Sequence, residues 1–170
     1  MRKYAPFAAL FLRALAGCLS LAIAAGAFAA DLRDMKEPKQ VTTVFPAGAK
    51  LRVLNLWATW CVPCVAEMPD LKQIDDAFGT EVALAGVSLD DMIPDADRKR
   101  VAAFLDKQKI AFPNVYYKGN ADDLAKHLKF SGEIPVTIVY DAKGKELWRH
   151  QGRLDKTKTI AELRKLLGRK

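Results

Sequence analysis

An α/β sheet with helices on both faces is the fold class this sequence predicts, and three observations carry it. Short, β-rich apolar runs alternate with stretches whose apolar residues recur every three or four positions. Two late runs flank Asp141-Ala142-Lys143-Gly144, a hairpin signal, and a helical stretch closes the chain. No internal repeat or low-complexity linker breaks this order, which points to one folded domain.

The first thirteen residues carry Arg2, Lys3 and Arg13 and no acid, and lead into the apolar run Ala14 to Phe28, which ends around Ala27-Phe28-Ala29. Residues 1–29 therefore read as a secretory signal with an A-x-A cleavage site. Cleavage leaves residues 30–170, about 140 residues, enough for a real core. Two other readings stand beside this one. Leu15-Ala16-Gly17-Cys18 resembles a bacterial lipobox that would lipidate Cys18, although Arg13 interrupts its hydrophobic segment. The run is also at the lower edge of what spans a bilayer, so it could stay uncleaved as a membrane anchor. All three readings place the folded part outside the cytoplasm.

Within the domain, Val41 to Val44 is read as a short leading strand and Pro46-Ala47-Gly48 as a turn. Leu51 to Trp57 is compact and β-rich, as a buried strand is. Val65, Met68, Leu71, Ile74 and Phe78 then define an amphipathic helix starting near Cys61, with Pro69 expected to kink it and Gly79 to end it. Val82 to Leu89 is a second apolar strand, followed by a loop rich in Asp and Pro. A helix over Asp97 to Gln108 has Asp97 as its cap. Phe112 to Tyr117 reads as a short strand and Ala121 to Lys129 as a short helix. Ile134 to Tyr140 and Glu146 to His150 form the hairpin, and Ile160, Leu163, Leu166 and Leu167 mark the closing helix.

The formal charge of +7 falls to +4 without the signal, from 24 Lys and Arg against 20 Asp and Glu. The densest basic run, Arg98-Lys99-Arg100, and the basic tail both sit beside helical apolar spacing, as solvated helix faces do. No aromatic residues interleave with them, so nothing supports a nucleic-acid partner.

Cys61 and Cys64 are the thiols left once the signal, with Cys18, is removed. A purely structural bridge three residues long constrains little unfolded chain and stabilises little. Structural zinc needs four ligands, usually in two close pairs, and the other candidates, His127 and His150, are 23 residues apart. Covalent haem needs a histidine directly after Cys64, where Val65 stands. A peroxidatic cysteine would stand alone. Exchange chemistry fits the placement better. A helix start offers unpaired N–H groups and the positive end of its dipole to a Cys61 thiolate. Cys64 lies one turn further in, able to attack a mixed disulfide from within, and Pro63 suits a first turn because its missing N–H would have had no partner.

Trp57-Ala58-Thr59-Trp60-Cys61-Val62-Pro63-Cys64, followed by Glu67-Met68-Pro69, resembles the active-site signature of extracytoplasmic thioredoxin-like proteins of the TlpA, ResA and CcmG type. The similarity continues through Ala85 to Asp90, Phe112-Pro113, Ile134-Pro135-Val136-Thr137 and Tyr140 to Gly144. The resemblance implies a thioredoxin fold, a central mixed sheet with helices on both faces. It also implies a periplasmic or membrane-associated thiol-disulfide oxidoreductase that reduces disulfides in partner proteins, such as cytochrome c or copper-site assembly factors. A membrane thiol transporter would supply the electrons, and no dissociable cofactor or metal would be needed. The expected state is a monomer, exported and possible to tether through its N-terminal segment.

The same resemblance makes Pro135 the family's cis-proline beside the cysteines, leaving the backbone of Ile134 to pair with a substrate strand. It makes Glu67 an acidic residue near the buried thiol, one helical turn from Cys64 and within reach for proton transfer; a solvated first-turn carboxylate is the other reading. Thioredoxin has a buried aspartate six residues before its first cysteine, where this chain has Asn55, which cannot act as that base. Trp57 and Trp60 are expected as apolar walls of the site. Many relatives place threonine directly after the cis-proline, whereas here Val136 precedes Thr137, which bears on substrate preference. Two rival functions remain open. The same chemistry could run in reverse, as an oxidase or isomerase, because sequence does not set the potential. Alternatively the thiolates could hold Cu(I) in a copper chaperone, although Met68 is the only nearby soft ligand.

Overall fold

The computed structural model describes residues 29–169. The proposed signal, its lipobox with Cys18 and the anchor reading lie outside the described residues, apart from Ala29. Six strands form one sheet: β1 (Leu32–Met35), β2 (Leu51–Trp57), β3 (Val82–Ser88), β4 (Asn114–Tyr117), β5 (Val136–Asp141) and β6 (Glu146–Gln151). Their order across the sheet is β1-β4-β3-β2-β5-β6. The first four are mutually parallel, while β5 runs antiparallel to β2 and β6 antiparallel to β5. The sheet is therefore mixed.

Four helices cover it: α1 (Val62–Phe78), α2 (Arg98–Gln108), α3 (Ala121–Leu128) and α4 (Lys156–Leu166). β2 is central and largely buried on both faces, so five of its seven residues are apolar, Arg52 and Asn55 being the exceptions, and its expected limits match. Alternate residues feed two cores. Leu51, Val53 and Trp57 pack with Leu71 and Ile74 of α1, Leu105 of α2 and Leu163 of α4. Leu54 and Leu56 meet Val41, Val44 and Leu124 of α3 on the other face. Helices thus lie on both faces, as expected.

Side-chain caps set three helix starts: Asp97, Asn120 and Asp155 accept the N–H groups of Lys99, Asp123 and Lys158 at 2.8, 3.0 and 3.0 Å. α1 continues through Pro69 to Gly79, whose φ of 53° suits a residue without a side chain.

The leading strand is not where the sequence suggested. Pro38–Thr42 forms a 3₁₀ helix, opened by Pro38 and by Gln40, whose side chain accepts the N–H of Glu37 at 3.1 Å. Val41 and Val44 are buried, but their spacing of three is a turn period and not a strand period. The strand that leads the sheet is β1, an edge strand whose Arg33 and Asp34 face solvent, so it lacks an apolar run.

Among the described residues no helix is long and apolar enough to cross a membrane.

Candidate active site

The C-terminal end of β2 runs into α1 through Ala58, Thr59 and Trp60, and Cys61 caps the helix. Its sulfur accepts the N–H of Cys64 at 3.3 Å, so the side chain sits at the positive end of α1. Pro63 occupies the first turn, where its missing N–H leaves no bond unmade. Cys61 and Cys64 are joined as a disulfide with their Cα atoms 5.2 Å apart. Cys61 is 6 % exposed and Cys64 not at all, which orders the two by access.

The loop carrying Cys61 is held from β3. Asp90, 3 % exposed, accepts the Thr59 N–H with both carboxylate oxygens at 3.1 Å and also binds the Thr59 hydroxyl. The Ser88 hydroxyl donates to it at 2.8 Å. Sequence reasoning missed Asp90 as a site residue. Its signal was faint: a serine two residues earlier at the end of an apolar strand, with no spacing that ties it to Thr59.

Across the loop, the Ile134–Pro135 bond is cis, and the Ile134 carbonyl oxygen lies 3.7 Å from the Cys61 sulfur. Trp60, 47 % exposed, shares an open groove with Cys61, Ile134 and Gly152. Trp60 is thus a wall of the groove. Trp57 is not: it is fully buried, its indole N–H donating to Asn114 at 3.1 Å and its ring 5.4 Å from Phe104. A tryptophan ending a central strand points into the core that covers it.

Glu67 has no solvent exposure, which sets aside a solvated first-turn carboxylate. It lies on the inward face of α1, over a row formed by Asn55, Thr137 and His150 at matched register on β2, β5 and β6. One carboxylate oxygen accepts the Asn55 side-chain amide at 2.8 Å, and the other the backbone N–H of Leu154 at 2.9 Å. The Asn55 amide also donates to the Thr137 hydroxyl at 3.2 Å. Burial pushes the Glu67 carboxyl above its ordinary range, while Leu154, Asn55 and the charges of His150 and Arg153 pull it part of the way back. A buried carboxyl one turn from a buried sulfur has the placement of a proton acceptor. Asn55, read in the sequence as unable to be a base, is instead a hydrogen-bond donor to the Glu67 carboxyl.

Among the described residues no group of three or more His, Cys, Asp or Glu side chains is placed to hold a metal, and Met68 is buried in the core.

The fold and the cap-borne cysteine pair beside a cis-proline define a thioredoxin-like dithiol protein. Residues 24–167 match the redoxin family, and the chain belongs to it. It is 30% identical over 98 residues to the thioredoxin-like protein YneN of Bacillus subtilis, covering 58% of this chain and 54% of that one. It is 34% identical over 94 residues to the thiol-disulfide oxidoreductase ResA of Oceanobacillus iheyensis, covering 54% and 44%. These matches span about half the length of the two relatives. Among solved structures, a thioredoxin-related protein from Neisseria meningitidis serogroup B superposes with a TM-score of 0.58 at 28% identity, over 70% of this chain and 85% of that one. The resemblance drawn from the cysteine motif is thereby borne out.

Proposed function

We propose that the chain is an extracytoplasmic thiol-disulfide oxidoreductase that reduces disulfides in partner proteins. The observation that carries this reading is the placement of Cys61: a sulfur at the positive end of α1, at the mouth of a groove walled by Trp60 and Ile134, with Cys64 enclosed behind it. In the dithiol form the Cys61 thiolate attacks one sulfur of a partner disulfide, and the other partner sulfur leaves as a thiolate. Cys64 loses its proton to Glu67 and attacks the Cys61 sulfur, which expels the second partner thiolate. Two electrons have passed to the partner, and the protein is left with the Cys61–Cys64 disulfide.

A membrane thiol transporter returns the enzyme to the dithiol form, so no dissociable cofactor is required. Cytochrome c or copper-site assembly factors are the substrates the motif resemblance favours. The charged, apolar-cored segment before residue 30 supports export to the periplasm, with or without retention at the membrane. The protein acts as a monomer in this scheme.

The test is the asymmetry of the two thiols. Cys61→Ser is expected to abolish turnover, whereas Cys64→Ser retains attack and accumulates a mixed disulfide with its natural substrate on non-reducing gels. Equal trapping by both variants would remove the assigned roles.

A further inference from the structure

The last residue of β6, Gln151, and the three residues after it touch the groove and the proton acceptor in turn. Gln151 donates its side-chain amide to the Glu133 carbonyl at 3.0 Å, on the lip of the groove. Gly152 donates its N–H to the Pro135 carbonyl at 2.9 Å, behind the cis bond. Leu154 donates its N–H to Glu67 at 2.9 Å. Gly152 has φ of 87°, in the region that favours glycine, and an added Cβ there would meet no heavy atom within 4 Å. The turn therefore needs glycine for its backbone shape and not for space.

We propose that the turn Gln151–Leu154 is a positioning element shared by the substrate groove and the proton acceptor, with Gly152 setting the backbone path that aims the Leu154 N–H at Glu67. This rests on Glu67 being the acceptor for the Cys64 proton. A carboxylate is stabilised by each N–H aimed at it, and a backbone donor placed by a turn cannot swing away as a side chain can. The turn thus favours the ionised form of Glu67, the form able to take a proton, against its burial. The charged groups that face Glu67 are His150 on β6 and Arg153 in the turn itself, the latter paired at 3.6 Å with Asp70 of α1. Asp155, one residue beyond the turn, is occupied by the N–H of Lys158. Asn55 and Thr137 complete the surroundings from β2 and β5 and carry no charge.

Gly152→Ala tests the turn without adding a clash, because the alanine relaxes toward negative φ and carries the Leu154 N–H off its line. Gly144→Ala is the matched control. Gly144 has φ of 85°, equally open space and a place in the β5–β6 hairpin outside this network. The first readout is the Glu67 carboxyl titration by carbon NMR in the disulfide form, where Cys61 and Cys64 do not titrate. The second is the rate of resolution by Cys64 in single turnovers between about pH 4 and 9.5, a range that takes in an ordinary carboxyl and an ordinary thiol.

Loss of the Leu154 donor destabilises the carboxylate, so Gly152→Ala should titrate at higher pH. Its resolution rate below that limb should fall roughly tenfold, the scale of one hydrogen bond to a charged group. Gly144→Ala should lose stability to a similar degree and move neither readout. A Gly152→Ala titration and rate profile no different from those of Gly144→Ala would overturn the proposal. Glu67→Gln, run in parallel, separates the two layers. If its rate profile overlays the wild type, the acceptor reading fails and the kinetic part of the proposal with it, while the NMR titration still decides whether the turn holds the carboxylate.

Discussion

Removing Asp90 should unfasten the loop that presents Cys61, and the structure sets the size of the effect. The carboxylate is almost fully buried and binds the Thr59 N–H, the Thr59 hydroxyl and the Ser88 hydroxyl. A hydrogen bond to a charged acceptor contributes about 1.5–3 kcal/mol, and a buried donor left unpaired costs about 1–3 kcal/mol. In Asp90→Ala the Thr59 hydroxyl, on a half-buried residue, can turn to water, but the backbone N–H cannot redirect and Ser88 is enclosed. The sum is a loss of about 3 kcal/mol. Asp90→Asn keeps one acceptor oxygen and should lose about 1 kcal/mol. Urea denaturation of the disulfide form reads this directly: with a slope of about 2 kcal/mol/M, the alanine midpoint should fall by about 1.5 M and the asparagine midpoint by about 0.5 M. Cys61 follows Thr59 by two residues, so attack on a peptide disulfide should also slow several-fold in the alanine variant. An Asp90→Ala protein within about 0.5 kcal/mol of wild type, the range of an ordinary surface substitution, would refute the clamp.

Glu67→Gln carries a signature in pH. Burial raises the Glu67 carboxyl above 4.5, so its share of stability is fully present below that value and is lost as pH rises through the folded-state value. Glutamine has no such loss, and the stability of the variant relative to wild type should climb as pH rises through that window; parallel curves from chemical denaturation at successive pH values would contradict the shift. The variant should fold, because the Asn55 side-chain oxygen has no partner and can accept from the new amide once Asn55 turns over. Gly86→Ala should cost about 3 kcal/mol or prevent folding, since an added Cβ would run into the Asn114 side chain and come within 2.8 Å of the Trp57 indole nitrogen; an unchanged melting temperature would show that this packing yields.

What the chain disclosed before its structure depended on which atoms carry each feature. β2 was legible to the residue because a strand buried on both faces is mostly apolar, and Leu51, Val53, Leu54, Leu56 and Trp57 crowd into seven positions. The start of α1 was legible because Cys61, Pro63 and the three-and-four spacing from Val65 to Phe78 all agree. β1 was not, since an edge strand needs few apolar side chains and Arg33 and Asp34 could as well stand in a loop. Glu67 was visible as a candidate through the motif resemblance, but its burial and its partners were not. One of those partners is the backbone N–H of Leu154, 87 residues away, which any residue but proline provides. Asp90 was hidden for a related reason: it acts on the Thr59 N–H across 31 residues.

The direction of electron flow is the centre of the proposed function, and the equilibrium potential of the Cys61–Cys64 pair measures it. Equilibration in glutathione buffers, with the dithiol fraction counted by thiol alkylation and mass, gives the value. A potential well below about −200 mV is the expected result, because it lets the dithiol reduce partner disulfides. A potential near −120 mV, the range of a strong disulfide oxidant, would contradict it.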